Sequence, residues 1–283
     1  MADASKCIST QPKPRPIRRL LSRNASASSW AAPFYVFGLI GFVWLIVWLQ
    51  QVENDPAADR RLSAEERVLL LEVGPARPRK QVSLRHLLLR PPVLGIVAGH
   101  VALTWSLYVL LSWLPSYFSD VHGLSIAHSG LFSAAPWLTM FALSILAGPA
   151  ADWLVQLGAS ITTTRKIMQC GALIVSAGLL LALHAAPSPT AALILLCGAA
   201  GALGCSAAGH MAAYLDVAPR SGAVLFAFGN TFAALPGIVG VAVTGWLLDV
   251  TGTYLAAFVL TALVSGAGAL AFALLVDGRS IVD

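Results

Sequence analysis

From Val93 to the end of the chain, apolar runs of about 20 residues follow one another with only short polar breaks between them. A helix of that length covers the roughly 30 Å hydrocarbon core of a bilayer. Lipid offers no water to spare backbone groups, so a spanning segment must be a helix or part of a closed barrel. These runs are continuous rather than alternating in polarity, which selects helices. The composition agrees: 11% of residues are charged, against about 25% in a soluble globular domain. The expected fold class is an all-α integral membrane protein that crosses the bilayer several times.

The formal charge of +5 raises the question of a nucleic-acid partner. The basic residues fall in loops and in the polar tail before the first span, so the expected partner is the lipid bilayer and not nucleic acid. Cys7, Cys170, Cys197 and Cys205 show no C-x-x-C or zinc-like spacing. Three of them lie in apolar runs, where a thiol usually serves as a small packing residue. Neither a metal nor a disulfide is expected. The chain also lacks a serine elbow, an H-E-x-x-H and a P-loop, so no enzyme is expected.

Residues 1–29 are polar, with several Ser, Pro and Arg and a single acid, Asp3. They read as an unstructured tail or as an organelle transit peptide. A first span is expected over Trp30–Leu49. A basic loop over 50–92 follows, holding Arg77, Arg79, Lys80, Arg85 and Arg90. Within it, Ser63 and Glu66 have the spacing of a capping box, which predicts a short surface helix. Residues 93–283 hold six further spans, near Val93–Trp113, Ser129–Ala147, Ile167–Ala186, Thr190–Tyr214, Gly222–Leu248 and Thr253–Val276. Beyond residue 50, every Lys and Arg falls in alternate connectors, including Arg165, Lys166, Arg220 and Arg279. That segregation places the 50–92 loop and the carboxy terminus in the cytoplasm. The basic amino-terminal tail opposes this orientation. Removal of the tail, or a different start to the chain, would resolve the conflict.

Ionisable and polar residues inside spans are functional candidates, because a charge at mid-bilayer costs a few kcal/mol. His100, Thr104 and Tyr108 share one helical face beside Trp105. They read either as a polar stripe facing a central cavity or as a neutral histidine bonded to a neighbouring helix. Asn230 reads as a substrate contact or as glue between helices. His210 and Tyr214, four apart, read as an inner gate or as ordinary packing. Asp152, Arg165, Lys166, Asp216 and Arg220 lie at the cytoplasmic rim and are expected to form ion pairs that govern a rocking motion. Gly198, Gly201 and Gly204, and Gly237, Gly240 and Gly245, predict close helix approach.

One span, a long basic loop and six further spans is the pattern of helices six to twelve of a major facilitator transporter. Gly148-Pro149-Ala150-Ala151-Asp152 followed by Arg165-Lys166 resembles the superfamily's loop motif between helices eight and nine. Trp137-Leu138-Thr139-Met140, the run Ser160–Gln169, Leu114-Pro115-Ser116-Tyr117-Phe118, Asp216-Val217-Ala218-Pro219-Arg220 and Gly229-Asn230-Thr231 are similar to the anion:cation symporter family. The flavour is that of its plant and algal organellar phosphate transporters. The resemblance covers roughly residues 31–283. It implies sodium- or proton-coupled movement of phosphate or an organic anion, without a bound cofactor. Leu103 stands where the vesicular glutamate carriers have arginine ahead of the W-x-x-Y element, here Trp105-Ser106-Leu107-Tyr108. Ala213-Tyr214 replaces the family's Asn-His pair.

The resulting expectation is a secondary transporter of an anion, or its carboxy-terminal half, paired with a second transporter half. The membrane is the plasma membrane or an organelle, a plastid or a vesicle. The alternative is a non-transporting or regulatory half-transporter, or a truncated gene product. A seven-helix retinal protein is disfavoured, because no lysine follows Lys166.

Overall fold

The computed structural model describes residues 16–53, 59, 61–72, 88–219 and 221–277. Every regular element among them is helical. Seven helical segments are long and apolar enough to cross a membrane. The chain divides into two compact units, 1–78 and 79–283.

The first unit holds α1 (Pro16–Gln51) and α2 (Ala64–Glu72). Helical backbone thus begins at Pro16, inside the stretch read from sequence as an unstructured tail, and the apolar span within it is Ala31–Gln51. Arg61 closes the end of this helix. Its guanidinium donates to the carbonyl of Gln50 at 3.2 Å, to the Gln51 side chain at 2.9 Å and to the Gln51 carbonyl, covering groups a helix end leaves open. The capping box forms: Ser63 N–H donates to Glu66 Oε2 at 3.0 Å and Glu66 N–H donates to Ser63 Oγ at 3.1 Å. The Ser63 N–H holds the Glu66 carboxyl below its ordinary range, and hydrogen bonds from Arg61 do the same for Asp59. Arg77, Arg79, Lys80 and Arg85 lie outside the described residues.

The second unit is a bundle of six spans. They comprise α3 (Pro91–His122), α4 (Ile126–Gln156), α5 (Ile161–Ala182), α6 with α7 (Pro189–Cys205, His210–Val217), α8 with α9 (Gly222–Ala233, Pro236–Thr251) and α10 (Tyr254–Leu275). Local signals fix the ends. Pro91 and Pro92 open α3 after an extended Arg90, and Gly123 closes it in the left-handed region at φ 63°. Ser125, Ser160, Ser188 and Thr253 each accept a backbone N–H at the start of α4, α5, α6 and α10.

The α3–α10 pair forms the spine of the bundle, and it is antiparallel. A Cβ on Gly95 would lie 2.8 Å from Leu275 Cβ, and one on Gly268 only 2.2 Å from Ala102 Cβ. One turn beyond the second contact, the Ser106 and Ser265 hydroxyls bond at 3.1 Å. At the far end Tyr254 donates to Asp120 at 2.8 Å. Glycine is what permits such backbone approach where lipid gives no hydrophobic push between helices. The other glycines singled out from sequence serve similar interfaces. A Cβ on Gly204 would meet the Met140 carbonyl at 2.5 Å, which seats α6 against α4. Gly237, Gly240 and Gly245 of α9 face the rings of Tyr108, Trp105 and Trp113 of α3.

Two spans are interrupted. The run read as one helix over Thr190–Tyr214 breaks at the 3-10 turn Ser206–Ala208 and Gly209, where the backbone sits at φ −89°, ψ −94°. The run over Gly222–Leu248 breaks at Ala234–Leu235, ahead of Pro236. Proline at that point removes a helical donor, which accounts for the second break. At the first, a Cβ on Gly209 would lie 2.8 Å from the backbone nitrogen of Gln169, so close contact with α5 requires glycine there.

Candidate functional site: a buried histidine pair at a helix break

The two histidines buried in the bundle gather where α3, α5, α7 and α8 meet. There the rings of His100 and His210 are in contact, tilted by 35° with centroids 4.5 Å apart. Both are nearly fully buried, at 5% and 3% exposure, with Tyr214 at 1%. Tyr214 Oη lies 3.5 Å from His100 Nδ1. Phe226 of α8 stacks on His100 at 5.6 Å and meets Tyr214 edge-on at 5.8 Å. A Cβ on Gly229 would fall 1.9 Å from Tyr214 Oη, so this glycine makes the room that the phenol occupies.

Gln169 completes the cluster. Its amide nitrogen donates to the Gly99 carbonyl at 3.1 Å. Its Oε1 accepts from Ser206 Oγ at 2.5 Å and from the His210 backbone N–H at 3.2 Å. Because the Ser206 hydroxyl has a single proton and gives it to Gln169, the 2.9 Å contact between Ser206 Oγ and His210 Nδ1 must be donated by the imidazole. The same Nδ1–H points toward the Ser206 carbonyl at 3.0 Å and Gln169 Oε1 at 3.2 Å. His210 is thereby assigned as the neutral Nδ1–H tautomer, with its Nε2 lone pair left as a base. Two imidazoles in ring contact cannot both be charged at low cost.

The structure joins residues that sequence reading had put in separate groups. His100 was placed with the substrate contacts, His210 and Tyr214 with the gate; all three form one cluster. Thr104 is half-buried, and its hydroxyl bonds back to the carbonyls of His100 and Val101 at 3.1 Å, within its own helix. Tyr108 and Trp105 pack on α9. The indole N–H groups of Trp105 and Trp113 and the hydroxyl of Thr244 are buried without a partner among the described residues. All three lie along the α3–α9 interface. Asn230 is exposed, one position past Gly229.

Of the rim residues, Arg165 and Asp216 pair. Arg165 Nε lies 2.6 Å from Asp216 Oδ2, and Arg165 Nη1 donates to the Ala208 carbonyl at 3.1 Å. Asp152 is exposed and Lys166 half-buried; neither forms an ion pair among the described residues. Arg220 lies outside the described residues. Sequence reasoning missed Gln169, Ser206 and Phe226. The available signal was an amide inside an apolar span, four residues after Arg165 and so on the same helical face.

Six spans, two of them interrupted, with polar side chains gathered at one break, define a multi-pass helical membrane bundle. Comparison makes the class specific. Residues 24–164 match the family described as Major Facilitator Superfamily. The chain is 34% identical over 255 residues to "Sodium-dependent phosphate transport protein 1, chloroplastic" of Arabidopsis thaliana, covering 90% of this chain and 50% of that protein. It is 33% identical over 257 residues to "Ascorbate transporter, chloroplastic" of the same plant, covering 90% and 47%. It is 32% identical over 216 residues to "Probable vesicular glutamate transporter eat-4" of Caenorhabditis elegans, covering 74% and 38%. The chain belongs to the major facilitator superfamily, among the relatives of its anion carriers. It spans about half the length of the curated relatives it matches.

Proposed function

We propose that the chain carries out secondary active transport of a small anion, inorganic phosphate or an organic anion, coupled to sodium or protons. The observation that carries this reading is the buried His100–His210 pair at the break between α6 and α7. A proton taken up at His210 Nε2 would place one positive charge, shared with His100, in the buried interior of the bundle. An anion is the species that stabilises such a charge. The idle indole N–H of Trp105 supplies a further donor of the kind an anion's oxygens accept. Loss of the proton and departure of the anion are then linked, as coupled transport requires. A second transporter half supplies the opposing wall of the pathway. Relatives whose names place them in chloroplasts support a plastid membrane as its location.

Uptake of radiolabelled phosphate by liposomes containing this chain, with and without a sodium or pH gradient, tests the reading. Gradient-stimulated uptake is expected. Uptake competed by glutamate and not by phosphate would overturn the substrate choice. No uptake by correctly inserted protein would favour a regulatory, non-transporting half.

A further inference from the structure

The break between α6 and α7 frees backbone groups that a continuous helix would pair internally, and inside a bilayer each must find a partner. α5 supplies two of them from one face. Arg165 and Gln169 are four residues apart and reach to either side of Gly209. Arg165 Nη1 donates to the Ala208 carbonyl at 3.1 Å, and Gln169 Oε1 accepts the His210 N–H at 3.2 Å. Arg165 also holds the far end of α7 through Asp216. The eight-residue helix His210–Val217 is therefore held at both ends by α5, while Ser206–Gly209 connects it to α6. Gln169 further ties this assembly to α3, through the Gly99 carbonyl one residue before His100. The N-terminus of α7 is thus already occupied by a protein oxygen. The break is built to be clasped by the protein.

We infer that Gln169 is a positioning residue that clasps α7 to α5 and sets His210 against His100, and that the start of α7 swings away from α5, with Ser206–Gly209 as the flexible link to α6, when the clasp opens. That the swing gates a transport site rests on the function proposed above; the clasp itself does not. Gln169 Oε1 is the hub, because it serves Ser206 Oγ, the His210 N–H and His210 Nδ1 together. Releasing it would free the start of α7 while the Arg165–Asp216 pair still tethers the end, so the motion is a hinge opening and not an unfolding.

Amide hydrogen exchange of the full chain in liposomes tests this. In Gln169→Leu, exchange over His210–Val217 is expected to rise at least about fivefold, the effect of losing even one of the hydrogen bonds that Gln169 makes there. Pro189–Cys205 and Tyr254–Leu275 are expected to exchange as in the wild type. The near-isosteric Gln169→Glu, which in its protonated form keeps the acceptor oxygen and a donor to the Gly99 carbonyl, is expected to restore protection of α7. Unchanged exchange in Gln169→Leu would overturn the clasp, and so would a rise spread over the whole bundle, which marks a general packing role. Phosphate uptake by the same liposomes separates the two claims. Selective loosening of α7 without wild-type uptake leaves the clasp and removes the transport reading. Wild-type uptake with α7 unaffected by Gln169→Leu does the reverse.

Discussion

Tyr214 occupies space that exists only because residue 229 lacks a side chain. Gly229→Ala is expected to push the phenol away from His100 and to destabilise the bundle by about 1–3 kcal/mol, the usual cost of overpacking; thermal denaturation in detergent measures it. His100 is the test case for function at this scale. If it shares the site's proton, His100→Leu should lower phosphate uptake by about tenfold, the worth of one charge-assisted contact. Cys197→Ala, a small change at a half-buried position, should leave uptake near the wild-type level. Equal activity of the two variants would remove His100 from the pathway. The candidate residues were legible in the sequence because a histidine in an apolar run stands out. Their convergence was not. Periodicity says which residues share a face of one helix, and nothing in it says that the face of α3 carrying His100 meets the one α7 carrying His210.

Helix ends were legible for a related reason. That holds for the Ser63–Glu66 spacing, a local device that the structure shows working where it stands; in the bundle, α3 runs to His122 and α4 to Gln156, past the expected Trp113 and Ala147. Both interruptions were invisible. Ser206-Ala207-Ala208 is as compatible with a helix as with the turn it forms, and only the approach of α5 to Gly209 decides between them. The capping box carries a pH signature. Glu66 has a depressed carboxyl pKa in the folded state, so its contribution is full above the ordinary glutamate value and is lost as pH falls through the depressed one. The start of α2 should therefore fray on acidification, followed by amide exchange at Glu66, and Glu66→Gln should abolish that pH dependence. In the α3–α10 spine, Gly268→Ala would drive a methyl into Ala102. A loss of about 1–3 kcal/mol is expected in the same denaturation assay.

At the scale of the molecule, the sequence carried the architecture almost whole. Spans can be counted because lipid forces every crossing to be helical and apolar over a fixed length. The six-span bundle from Pro91 to Leu275 places its connectors at alternate ends. Arg165 meets Asp216 at one end, and Asp120 meets Tyr254 at the other. The histidine pair, the clasp and the carrier reading all presuppose that order. Labelling of single engineered cysteines from each side of sealed liposomes tests it most directly. Cysteines at Pro187 and at Lys166 are expected to react with an impermeant reagent from opposite sides. Reaction of both from the same side would contradict the six-span bundle, and the transporter reading with it.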